Sequence, residues 1–228
     1  MAYQKIIGGM GLGYGSKYQL LRMLGWHRND FNKRIMACVG LSGNVNWLDF
    51  GYDGSLDKEL LNFDFIPEVN DEWKRLWECG STGGINWDAV GITNDNTYIL
   101  VEAKAHFGEM KSSPKWKSSN AQEKNNKQIK AFLDKYKVNT SVEAINNGSY
   151  QLANRLVALD FLLSRGYKAK LVYVLFENGY EYNTQYNKSA TESQWLKEFD
   201  DKLLKLGIKG TGAEALINIC VINCNSKS

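Results

Sequence analysis

The amino-acid sequence predicts an α/β fold with a central mixed β-sheet flanked by helices. Residues 150–166, "YQLANRLVALDFLLSRG", form the strongest helical pattern in the chain and stop at Gly166. Residues 168–178, "KAKLVYVLFEN", are apolar on both faces, as an interior strand requires. Helical and strand patterns alternate along the 228 residues, with no internal repeat and no Pro-rich or Gly/Ser linker between them. One domain is therefore expected. It comprises an N-terminal helical and strand elaboration (1–80), a core (86–177) and a C-terminal helix and strand (178–228).

The composition is that of an ordinary soluble globular chain, with 43% hydrophobic and 23% charged residues. Twelve percent aromatics and two prolines argue against long disordered stretches. A net charge of +3 is too mild for the whole chain to announce a nucleic-acid binder. The cysteines Cys38, Cys79, Cys220 and Cys224 lack CxxC pairing and histidine partners, which disfavours zinc. No secretory pattern opens the sequence and no apolar run has membrane-spanning length, so a reduced, cytoplasmic protein without a membrane partner is expected.

Taken in order, "IIGGMGLGYGSKYQ" (6–19) fits neither a phosphate loop nor a dinucleotide turn in register, and reads as a glycine-rich turn. Residues 16–36 have helical spacing, broken near Gly25. "NVNWLDFGYD" (44–53) reads as a strand, and "SLDKELLNF" (55–63) and "NDEWKRLWECG" (70–80) as short helices. "INWDAVGI" and "YILVEAKAH" form a hairpin across "TNDNT". The polar, lysine-rich stretch 108–150 has helical content in "NKQIKAFLDKY". Beyond the 168–178 strand, "SQWLKEFDDKLLKLG" (193–207) is a helix and "ALINICVIN" (215–223) a last strand.

The hairpin carries the chemistry. If "TNDNT" is the whole loop, Ile92 pairs with Tyr98, Val90 with Leu100 and Asp88 with Glu102. Side chains alternate along a strand, so Glu102, Lys104 and His106 share a face with Leu100. Two opposed carboxylates repel, and Lys104, a bound cation or a raised pKa must compensate. Hard oxygen ligands suit Mg²⁺ or Mn²⁺. A metal there with a lysine beside it fits phosphodiester hydrolysis. A structural ion pair explains the same residues, but buried pairs stabilise weakly, so three charges in one apolar hairpin favour a site.

These residues resemble the PD-(D/E)xK nuclease superfamily. Asp88 matches its first acid and Glu102-Ala103-Lys104 its E-x-K, while Trp87 stands where the family has proline. The resemblance implies a restriction-endonuclease-like αβββαβ core, with Asp88, Glu102 and the Ala103 carbonyl as ligands of Mg²⁺ and Lys104 acting on the attacking water. It also implies a core-helix glutamine, for which Gln151 is the first candidate and Gln128 the second, and in some relatives a helix glutamate, here Glu72 or Glu78.

Around the hairpin, Gln151, Asn154 and Arg155 form one polar patch on an otherwise apolar helix, either part of the site or a solvent-exposed end. Residues 111–137 hold eight lysines against Glu123 and Asp134. Lys115, Lys117, Lys124, Lys127 and Arg155, with Trp116 stacking on a base, are the expected nucleic-acid contacts, although a solvated loop has the same composition. His106 is either a ligand or a hydrogen-bonded strand-end histidine; Glu109 lies past the strand, and His27 reads as structural. The expected activity is a Mg²⁺-dependent nuclease acting on DNA, with a homodimer as the accompanying assembly. The alternatives are a non-cleaving nucleic-acid binder on the same fold and a glycan hydrolase using Asp88 and Glu102 as acid and base.

Overall fold

The computed structural model describes residues 15–48, 50, 59–77, 84–179 and 190–224. In chain order the helices are α1 (Gly15–Trp26), α2 (Arg28–Cys38), α3 (Pro67–Leu76), α4 (Ser119–Lys135), α5 (Val142–Asn146), α6 (Tyr150–Leu163) and α7 (Glu192–Lys205). The strands are β1 (Val45–Leu48), β2 (Leu60–Leu61), β3 (Asn86–Trp87), β4 (Ala89–Thr93), β5 (Tyr98–Lys104), β6 (Ala169–Glu177) and β7 (Ile217–Asn223).

The five-stranded sheet has the order β1-β4-β5-β6-β7. β1, β4 and β5 are antiparallel neighbours, whereas β6 runs parallel to β5 and β7 parallel to β6. A short loop joins β4 to β5, whereas β1 reaches β4 only after β2, α3 and β3; the parallel pairs need crossovers, supplied by α4–α6 and by α7. The chain is thus α/β with a mixed central sheet. β2 and β3 form a separate two-stranded ribbon.

The β4–β5 register is set by its loop. Asp95 accepts from the hydroxyls of Thr93 (2.5 Å) and Thr97 (3.0 Å), and Asn96 takes the left-handed conformation at φ 60° that asparagine tolerates. Val90 consequently pairs with Leu100 and Ile92 with Tyr98, as the loop length predicts. Gly91 serves close packing: a Cβ there would lie 2.4 Å from the Val45 side chain on β1.

Alternation along β5 and β6 separates two cores. Ile99, Val101, Ala103, Val172 and Val174 pack with α1 and α2. Leu100, Leu171, Tyr173 and Leu175 pack with α3, α4, α6 and α7. α6 has ten buried residues, including Asn154 and Arg155, because it lies between the sheet and α4.

Two expectations are corrected here. The helix expected over 55–63 is, where described, the β2 strand and a turn, since Leu60 and Leu61 pair with Trp87 and Asn86. The hairpin's first arm is divided into β3 and β4 at Asp88. The glycine-rich opening up to Tyr14 lies outside the described residues, as do Glu78 and Cys79. Among the described residues no helix is long and apolar enough to cross a membrane.

Candidate active site

The regular β4–β5 ladder stops at Ala89 opposite Val101. Asp88 is offset from the predicted pairing with Glu102: its N–H donates to the Val101 carbonyl at 3.2 Å. Its carboxylate then accepts from the Ala103 N–H at 2.6 Å, so the side chain takes over where the backbone ladder ends. Asp88 remains half-buried. It also borders a cavity of about 10 Å³, walled by Lys17, Glu59 and Phe50, with room for roughly one water.

Glu102 and Lys104 continue on the α6 side and are buried, at 1% and 6% exposure. Glu102 Oε1 accepts from Lys104 Nζ at 2.5 Å and Oε2 from Arg155 Nε at 2.7 Å. Lys104 also donates to Gln151 Oε1 at 3.0 Å. The helix patch is therefore turned toward the sheet, and Gln151, the first-choice glutamine, reaches the lysine. Gln128 sits half-buried on α4.

Arg155 corrects an expectation. Rather than reaching nucleic acid, it is 3% exposed and closes the site from below. It donates to the Asn86 carbonyl at 2.6 Å and to Asn154 Oδ1 at 3.0 Å, and its guanidinium lies 5.0 Å from the Trp87 ring centroid. Trp87 thus backs the arginine.

The two acids differ in protonation. Burial pushes Asp88 up to about 8, and the neighbouring Glu102 charge adds to this against the pull of Lys104, the Ala103 N–H and Arg155. Burial would raise Glu102 as well, but the charges and hydrogen bonds of Arg155 and Lys104 hold it below the usual carboxylate range. The two shifts run in opposite directions, as a glycosidase acid–base pair would need, but the sealing of Glu102 disfavours that chemistry, because both its oxygens are engaged. Tyr173, paired with Glu102 in the β5–β6 register, is raised well above the ordinary phenol by burial.

The donors suit a hydrated hard cation. Mg²⁺ is commonly held by one or two carboxylates with water completing the shell. A strand residue directs its N–H and C=O to the same side. Since the Ala103 N–H meets Asp88, the Ala103 carbonyl shares that open edge. Asp88 and Ala103 would form the protein's share of the shell; Glu102 joins only by yielding an oxygen now held by Lys104 or Arg155. Among the described residues there is no cluster of three or more His, Cys, Asp or Glu side chains set for a metal.

The other candidates lie elsewhere. Glu72 is engaged by Arg165, including a 2.9 Å hydrogen bond, and does not join the site. Glu109 accepts from the Ala105 N–H at 2.6 Å and the Ser16 hydroxyl at 3.2 Å, tying the end of β5 to α1. His106 Nε2 stands 3.6 Å from it. His27 precedes the first turn of α2. Trp116 is half-buried edge-on against Tyr150, which restricts the stacking expected of it. Lys115, Lys117 and Lys127 are exposed and Lys124 is half-buried. The sequence offered no signal for Glu59, far from the hairpin in the chain. Arg155 had one, its i,i+4 spacing from Gln151.

No family model, curated protein or solved structure matches the chain.

Proposed function

We propose that this protein is a metal-dependent nuclease that hydrolyses phosphodiester bonds, with DNA as its substrate class. The observation that carries the proposal is the convergence of Asp88, Glu102, Lys104 and Gln151 at the carboxyl end of β5, where β4 has ended. The mixed sheet supports it: helices precede three antiparallel strands, β1, β4 and β5, with α3 and the β2–β3 ribbon inserted between the first two, and further helices lead to the parallel β6. A bound Mg²⁺ or Mn²⁺ supplies an activated water and neutralises phosphoryl charge.

The chain's own residues set up that chemistry. Asp88 and the Ala103 carbonyl offer oxygen donors at an open strand edge. Lys104, fixed between Glu102 and Gln151, places a cation that orients the attacking water and stabilises charge developing on the phosphate. Arg155 keeps Glu102 ionised and fixes its rotamer.

A second reading, a nucleic-acid binder without cleavage, is favoured by one observation: both Glu102 oxygens are already satisfied by cations. Turnover separates the two. Linear and circular duplex DNA, single-stranded DNA and RNA are incubated with Mg²⁺, Mn²⁺ or EDTA. Metal-dependent cutting, reduced about a hundredfold or more by Lys104→Ala and by Asp88→Ala, is expected. A folded wild type that cuts none of them in either metal would refute nuclease function.

A further inference from the structure

A cleft of about 510 Å³ lies between α7, residues 110–113 and the α5–α6 junction. It adjoins the site. Ser112 and Ser149 line it, and the Ser112 hydroxyl accepts the Gln151 N–H at 2.8 Å, while Gln151 holds Lys104. Lys111, Lys202 and Lys205 stand around the same cleft.

Resting on the nuclease proposal, we infer that this cleft is the lane for the sugar–phosphate backbone beside the scissile bond, with Lys111, Lys202 and Lys205 contacting successive phosphates. Lys202 and Lys205 are i,i+3 on α7, so their heads form a row along the wall rather than a point. Lys202 is held in place by donating to the Met110 and Gly148 carbonyls, the latter at 3.2 Å. Lys111 and Lys205 are exposed and able to reach a strand. Burial brings Lys202 down to about 8, with Lys104, Lys205 and Lys111 adding to the repulsion and Glu198 opposing it. A phosphate would relieve that crowding. Of the two acids on the cleft, Asp201 is paired with Lys197 at 2.9 Å, leaving Glu198 facing Lys202.

The lysine-rich helix expected to serve this purpose is partly spent. On α4, Lys130 is paired with Asp134 at 2.5 Å and Lys135 with Asp160 at 2.6 Å. The α7 lysines, by contrast, line the cleft beside Gln151.

The test measures binding of fluorescent duplex DNA to the full chain in EDTA, where cutting is suppressed, across a sodium chloride series. Replacing Lys111 and Lys205 by Gln is expected to flatten the slope of log K against log salt by about 1.8, the loss of two phosphate contacts. Lys115→Gln with Lys127→Gln, on the expected α4 side, should leave it unchanged. The inference is overturned if the α4-side pair flattens the slope and the cleft pair does not. It falls also if the wild type binds no DNA at all. Binding through the cleft without cutting in the metal panel would keep the lane and sink the nuclease proposal, so the two failures are distinguishable.

Discussion

The two faces of β5 have opposite chemistry. Toward α1 and α2, Ile99, Val101 and Ala103 are all apolar and buried. Toward α6, Leu100 is apolar, but the next two positions on that face, Glu102 and Lys104, are charged and equally buried. One strand thus anchors the core on one side and presents a site on the other. The change occurs where β4 ends, because only there does β5 have an unpaired edge toward Asp88. An apolar face needs only to exclude water, whereas a charged one needs a partner for every charge, and Arg155 is that partner for Glu102.

Breaking the charged face should cost most. Arg155→Met leaves Glu102 with half its compensation, and a loss of about 3–5 kcal/mol is expected in urea denaturation. If the pair is interdependent, adding Glu102→Gln to Arg155→Met will restore part of that loss, which a double-mutant cycle measures directly.

Asp88 should give a smaller, pH-dependent effect. Its folded pKa is raised, so it favours the folded state fully below its ordinary value near 3.8, and that contribution is lost as pH rises through about 8. Asp88→Asn, which still accepts from Ala103, should match wild type near pH 4. It should become progressively more stable than the wild type as pH rises from 4, with the gap levelling off above about 8. Thermal melts from pH 4 to 9 check this; a constant difference across the range would refute the assignment. Because cation binding requires the ionised acid, Mg²⁺ should raise the wild-type Tm more at pH 8 than at pH 6, and leave that of Asp88→Asn unchanged.

On the apolar face, Ile99→Val removes one buried methylene and should cost about 1 kcal/mol in urea denaturation. Far from both faces, Lys130→Ala opens an exposed i,i+4 pair with Asp134 and should produce no resolvable change in Tm.

Much of this was legible in the residues. The five-residue loop set the pairing of Val90 with Leu100, and alternation put Glu102 and Lys104 on one face. The i,i+4 relation of Gln151 and Arg155 marked one side of a helix. Three features were not legible. Asp88 leaves the ladder because its side chain replaces a backbone acceptor, an offset that no residue pattern encodes. Arg155 looked like a surface residue because its partner, Glu102, is 53 positions away in sequence. The lysines of 111–137 looked like one strip, yet Lys111 belongs to the α7 cleft whereas Lys130 and Lys135 are tied up on α4.

The sequence by itself determined the α/β alternation, the hairpin and the identity of the charged trio, since periodicity and turn chemistry are local properties of the chain. Only the tertiary structure decided which charges neutralise one another, which acid holds a proton and which lysines share a cleft. Those outcomes depend on distance and burial in space, and electrostatic energy inside a protein follows both.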